Sequence, residues 1–135
     1  MAYLNWKDSK VFIGTRPHSR FQTVLTLKLR SEDRIALLSS LEDVYYRDEG
    51  ELRLDLPSNW VVFWKKREQG SRTLLAHPQK EEWVATLALE FDLADRMMSK
   101  LKELGNQGSL LLSELGPLDS ISNFEIELLQ DESPR

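Results

Sequence analysis

Eight consecutive residues, Lys65-Lys66-Arg67-Glu68-Gln69-Gly70-Ser71-Arg72, carry four cations and one carboxylate. Trp60 and Trp64 stand just before them in the run WVVFW. Cations interleaved with aromatics are what a single strand of nucleic acid needs: charge for its phosphates and flat faces for its bases. Lys65, Lys66, Arg67 and Arg72 are then the candidate phosphate contacts. The same composition also guards ordinary hairpin tips against edge pairing, and no aromatic RNP-type motif accompanies it.

The remaining chemical inventory is thin. Cysteine is absent, which removes thiolate metal sites, disulfides and a cysteine nucleophile. The two histidines, His18 in TRPHSR and His77 in AHPQKEE, have no metal-motif spacing. A small-ligand or enzyme site, if sought, belongs near His77, Trp83 and the Glu81-Glu82 pair. No Gly-x-Ser-x-Gly elbow occurs, and the six glycines are scattered singly, so no phosphate-cradling loop is formed. The expectation is a non-enzymatic protein with no cofactor and no metal.

Length and charge bound the classes further. With 135 residues and 15.7 kDa the chain is read as one domain, 1–135, with an N-terminal arm over 1–20 and a frayed tail over 131–135. The apolar runs are too short to span a bilayer and MAYLNWKDSK has no signal-like core, so a cytoplasmic protein without membrane contact is expected. The net charge of −4 argues against a dedicated nucleic-acid binder. The charge is polarised, however. Between Asp8 and Glu32 lie Lys10, Arg16, Arg20, Lys28 and Arg30 with no acid, whereas Glu103 onward holds seven acids and only Arg135 as a base. Either a basic strand near the start lies beside an acidic one near the end, or a basic surface meets an anionic partner.

The elements follow from periodicity. FQTVLTLKLR (21–30) alternates as a strand, and Ser31 suits the N-cap of a helix running to about Tyr46. Ile35, Leu38, Leu41 and Tyr45 would form its buried stripe, flanked by Leu37 and Val44. Strands are predicted for ELRLDL, WVVFWKK, RTLLAH and EEWVATLALE, with 65–72 as a hairpin tip between the second and third. Asp92 would cap a second helix with Phe91, Ala94, Met98 and Leu101 inward, and SLLLSEL and NFEIELLQ complete the set.

Together these predict an α+β fold: a largely antiparallel sheet of about seven strands with two helices on one face. A shift of 60 residues lays VLTLKLR (24–30) on VATLALE (84–90), and Leu37-Leu38 on Met97-Met98. That points to a duplicated strand-helix-strand-strand unit. In element order, the four central strands and their helix resemble the units of single-strand-binding proteins of the Whirly and PUR type. WVVFW is apolar on both faces, so one face must find cover from a curling sheet, from the arm, or from a partner. If a partner covers it, Trp60, Val62, Trp64 and Trp83 form the interaction surface of an adaptor, an inhibitor or an immunity-type protein, with a second copy of the chain (a homodimer) among the candidate partners. This protein-interaction reading is the leading expectation. Single-stranded nucleic-acid binding through 65–72 is the first alternative, and the pocket near His77 the second.

Overall fold

The computed structural model describes residues 2–7, 12–16, 23–79, 81–104, 108–120 and 124–132, with the backbone alone at 12–16, 77–79 and 120. The fold is α+β. Its elements are β1 (Ala2–Asn5), β2 (Phe12–Arg16), β3 (Thr23–Leu29), α1 (Ser31–Tyr45), β4 (Glu51–Leu56), β5 (Trp60–Lys66), β6 (Arg72–Gln79), β7 (Glu82–Leu89), α2 (Phe91–Glu103), β8 (Ser109–Leu111), β9 (Asp119–Ser120) and β10 (Phe124–Gln130).

The strands form two mixed sheets rather than one largely antiparallel sheet. The first has the order β1-β4-β5-β7-β6-β9 and the second β2-β3-β10-β8. Parallel pairs join β1 to β4, β5 to β7, β6 to β9 and β3 to β10. Alternating side chains announce a strand but not its neighbour, so the parallel pairs were invisible in the sequence. The expected hairpin of β5 and β6 is split: β7 lies between them. The arm expected over 1–20 contributes a strand to each sheet, β1 to the first and β2 to the second.

The inner strands of the two sheets repeat one pattern of pairing. The pair Phe12↔Lys28 of β2 and β3 becomes Arg72↔Ala88 of β6 and β7 when 60 is added to each number. Trp60↔Trp83, which joins β5 to β7, matches Phe124↔Thr23, which joins β10 to β3, by adding 64 and subtracting 60. The hydrogen bond from Arg67 N to Leu89 O, 3.0 Å, has its counterpart from Asp131 N to Leu29 O, 2.8 Å, under the same two shifts. The four middle strands of the first sheet and the four strands of the second thus each come two from either half of the chain.

A single core fills the space between the elements. Leu52, Leu54, Leu56, Val62, Trp64, Ala85, Leu87 and Leu89 enter it from the first sheet. Leu25, Leu27, Leu29, Phe124, Ile126 and Leu128 enter it from the second. α1 packs on β1, β4 and β5 and against α2, which reaches β8. The buried stripe of α1 is Leu37, Leu41, Val44 and Tyr45, a rotation from the expected one that leaves Ile35 60% exposed. In α2 the buried residues are Leu93, Ala94, Met97, Met98 and Leu101, while Phe91 is exposed.

The helix starts also differ by a residue or two. Arg30 is the N-cap of α1 and Glu90 that of α2. The α1 start is finished from a distance: Glu132 accepts hydrogen bonds from Ser31 N at 2.6 Å and Ser31 Oγ at 2.5 Å. A carboxylate there meets unpaired N–H groups and the positive end of the helix dipole. Residues 131–132, expected to fray, are therefore held, and 133–135 lie outside the described residues. The Arg30 guanidinium stands 3.8 Å from the same carboxylate, one instance of basic and acidic segments meeting inside the fold.

Candidate functional site

The site is built on the face of the first sheet turned away from the core. Strand alternation puts Leu52, Leu54, Trp64, Val62, Ala85 and Leu87 inward and their neighbours outward. The outward residues form rows across the strands. One row runs Glu51, Lys65, Ala88, Arg72 and Asp119. The next runs Tyr3, Arg53, Phe63, Thr86 and Leu74. Val61, Phe63, Leu74, Ala76, Val84 and Ala88 on this face take no part in the core cluster.

The split between β5 and β6 makes the first row a basin. With β7 inserted, the connection 67–71 bridges two strand spacings, about 10 Å. Gly70, at φ 73°, takes a left-handed turn there that other residues adopt only at a cost. Lys65 and Arg72 stand either side of β7, whose outward residues Thr86 and Ala88 are small. A cavity of about 440 Å³ results, lined by Lys65, Lys66, Arg67, Arg72, Leu74, Thr86 and Ala88. All four basic residues singled out in the sequence line it, although the Lys66 ammonium turns away to Asp48.

Their electrostatic settings differ. Among the described residues neither Lys65 nor Arg67 pairs with a carboxylate. Arg72 Nε stands 3.8 Å from Asp119 Oδ2, is shielded from solvent and makes no hydrogen bond. Lys66 leans to the other side, where it bonds Asp48 at 2.9 Å and lies 5.9 Å from the centre of the Phe91 ring. The end of β5 is fixed by the Tyr45 hydroxyl, which donates to Lys65 O at 2.7 Å. Unpaired cations over small residues leave room for an anionic chain.

The second row is a set of flat groups that the sequence reading missed. Tyr3 is 51% exposed, and its hydroxyl donates to Asp55 Oδ2 at 2.6 Å. Arg53 Nε donates to Asp55 Oδ1 at 2.9 Å, and its guanidinium lies 5.7 Å from the centre of the Phe63 ring. Burial pushes the Asp55 carboxyl up, but the bonds from Tyr3 and Arg53 and the Arg53 and Lys7 charges outweigh it and hold the group below its ordinary value. The same bond raises the Tyr3 phenol, which stays protonated. Phe63 could have been found from parity, since it shares the face of Lys65. Tyr3 and Arg53 could not, because nothing in the sequence pairs residues 2–5 with β4.

The tryptophans do not join the cations. Val62 and Trp64 are fully buried within the chain's own core and offer no surface to a partner. Trp60, half-buried, stacks on Trp83 with ring centres 5.7 Å apart and planes 17° apart. Trp60 and Trp83 line a separate cavity of about 390 Å³ with Thr23 and Leu75, on the inner side of the sheet. The cover that WVVFW required is therefore internal for Val62 and Trp64: the helices and the second sheet close over them.

The remaining candidates carry less. His18 lies outside the described residues; His77 is placed on β6 by its backbone alone. Among the described residues no three His, Asp or Glu side chains converge as metal ligands, and no helix is long and apolar enough to cross a membrane. Comparison with family models, curated proteins and solved structures gave no match, so the likeness in element order to Whirly and PUR units stands without a structural counterpart.

Proposed function

We propose that this protein is a non-enzymatic binding module that takes a single strand of nucleic acid on the outer face of its six-stranded sheet. The observation that carries the reading is the cavity on that face lined by Lys65, Arg67 and Arg72, and by Lys66, whose ammonium turns to Asp48. The net charge of −4 is an average over the chain: Glu51 and Asp119 bound the basic row at its two ends, and other acids lie away from it. Glu125 and Glu127 of β10 belong to the other sheet, where they accept hydrogen bonds from Ser113 and Thr26. A cytoplasmic location suits this role.

The corresponding pairings of the two sheets support an origin by duplication of a strand-strand-helix-strand-strand unit, one strand longer than the sequence suggests. On that correspondence Phe63 and Lys65 map, by adding 64, to Glu127 and Leu129. At those two positions the second sheet has neither the flat group nor the cation, so one site of this kind per chain is expected.

The test is fluorescence anisotropy with a labelled twelve-base oligo-dT over a range of salt. Three or four phosphate contacts on a single strand give a slope of log affinity against log salt of about −2 to −3. Absence of binding at low salt overturns the reading. A second reading, a protein partner or homodimer, keeps one observation in its favour: the stacked Trp60 and Trp83 beside a cavity, with Trp83 39% exposed. Light scattering of the wild type and Trp83→Glu checks it. A monomer at tens of micromolar, unchanged by the substitution, removes the homodimer.

A further inference from the structure

Resting on the nucleic-acid reading, we infer that Tyr3, Arg53 and Phe63 form the platform for the bases and that Asp55 positions it. The bound segment is about three unpaired bases of one strand, laid across β1, β4 and β5, an occupancy within reach of a sheet face. Its phosphates run along the neighbouring row toward Lys65 and Arg72.

Three observations carry this. The flat groups stand on adjacent strands of one face, in a single row. That row lies beside the row bearing Lys65 and Arg72, two residues along each strand. Beside Phe63 that row presents Lys65, with Arg72 further along, whereas beside Arg53 it presents Glu51, so a strand with its bases on the first row finds its phosphate contacts from β5 onward. Finally, the platform is made ready beforehand. Asp55, only 4% exposed, accepts from both the Tyr3 hydroxyl and the Arg53 guanidinium, so both groups are oriented before any ligand arrives.

Spacing selects the ligand. Adjacent strands stand about 4.8 Å apart, whereas bases in a duplex rise by about 3.4 Å and present their edges, not their faces. Groups carried on strands at the wider interval, Tyr3 on one side and Phe63 with the Arg53 guanidinium over it on the other, match bases that are unstacked from one another. Beyond Phe63 the row continues with Thr86 and Leu74, which offer no flat face, so the platform ends at β5.

The experiment compares three labelled twelve-mers on the wild-type protein: oligo-dT, the same backbone without bases, and an oligo-dT·oligo-dA duplex. Oligo-rU is run beside them. Oligo-dT or oligo-rU should bind at least tenfold more tightly than the abasic strand and the duplex. In Phe63→Leu and Tyr3→Leu that advantage should shrink to about twofold or less, with the salt slope unchanged; the slope also reports that the basic row is intact. Asp55→Asn should weaken the base-dependent part and leave binding of the abasic strand alone. If the abasic strand or the duplex binds as well as oligo-dT, the platform is disproved while the basic site stands. If no oligonucleotide binds at low salt, the underlying reading fails with it.

Discussion

At the scale of single residues, two rows on one sheet face have separable duties, and substitutions should separate them. Lys65→Gln with Arg72→Gln removes two phosphate contacts. We expect affinity for oligo-dT to fall about tenfold at 50 mM salt and the salt slope to flatten by about 1.4, measured by anisotropy. Trp64 and Trp83 form a second contrast. Trp64 is fully buried and Trp83 is exposed, so Trp64→Ala should cost about 3–5 kcal/mol in urea unfolding and Trp83→Ala far less. Asp55 adds a pH dependence. Its folded carboxyl is held below its ordinary value, so the unfolded chain takes up the proton more readily. The stability it contributes is complete above the ordinary carboxylate range and is lost as pH falls through that range and the lower folded value. Urea midpoints between pH 7 and pH 3 should fall less steeply in Asp55→Asn than in the wild type.

At the scale of elements, α1 offers the sharpest check. Leu37→Ala removes a fully buried side chain and should cost about 2–5 kcal/mol, whereas Ile35→Ala should cost about 0.5 kcal/mol or less, both by urea denaturation. The sequence reading put Ile35 inside and Leu37 at the flank. Two apolar stripes coexist on this helix, and only the direction from which β1, β4 and β5 approach decides between them. The same limit explains what else was legible. β3 to β7 and both helices could be placed because their periodicity is local. The position of β7 between β5 and β6 depends on long-range pairing, and so did the basin of cations that it opens. The four basic residues, read as a cluster from their adjacency, all line one cavity, but their aromatic companions were assigned by proximity in sequence. Alternation sends Trp64 and Lys65 to opposite faces, and the flat groups that accompany Lys65 come instead from the same parity and from strands far away along the chain.

At the scale of the whole molecule, each sheet is completed by strands from both halves of the chain. Neither half can bury its own strands, so fragments 1–68 and 69–135 should each be largely unstructured by circular dichroism and should regain the sheet signal when mixed. If either fragment folds alone, the interleaving is not what stabilises the chain. The split hairpin has a temporal consequence as well. β5 and β6 leave the ribosome before β7 and are joined by only five residues, an invitation to zip directly together. Such an early ladder would be a wrong turn, since it would occupy the hydrogen-bonding edges that β7 claims on both sides. A chain that made it would have to reopen in part, because the cationic basin exists only once β7 lies between β5 and β6.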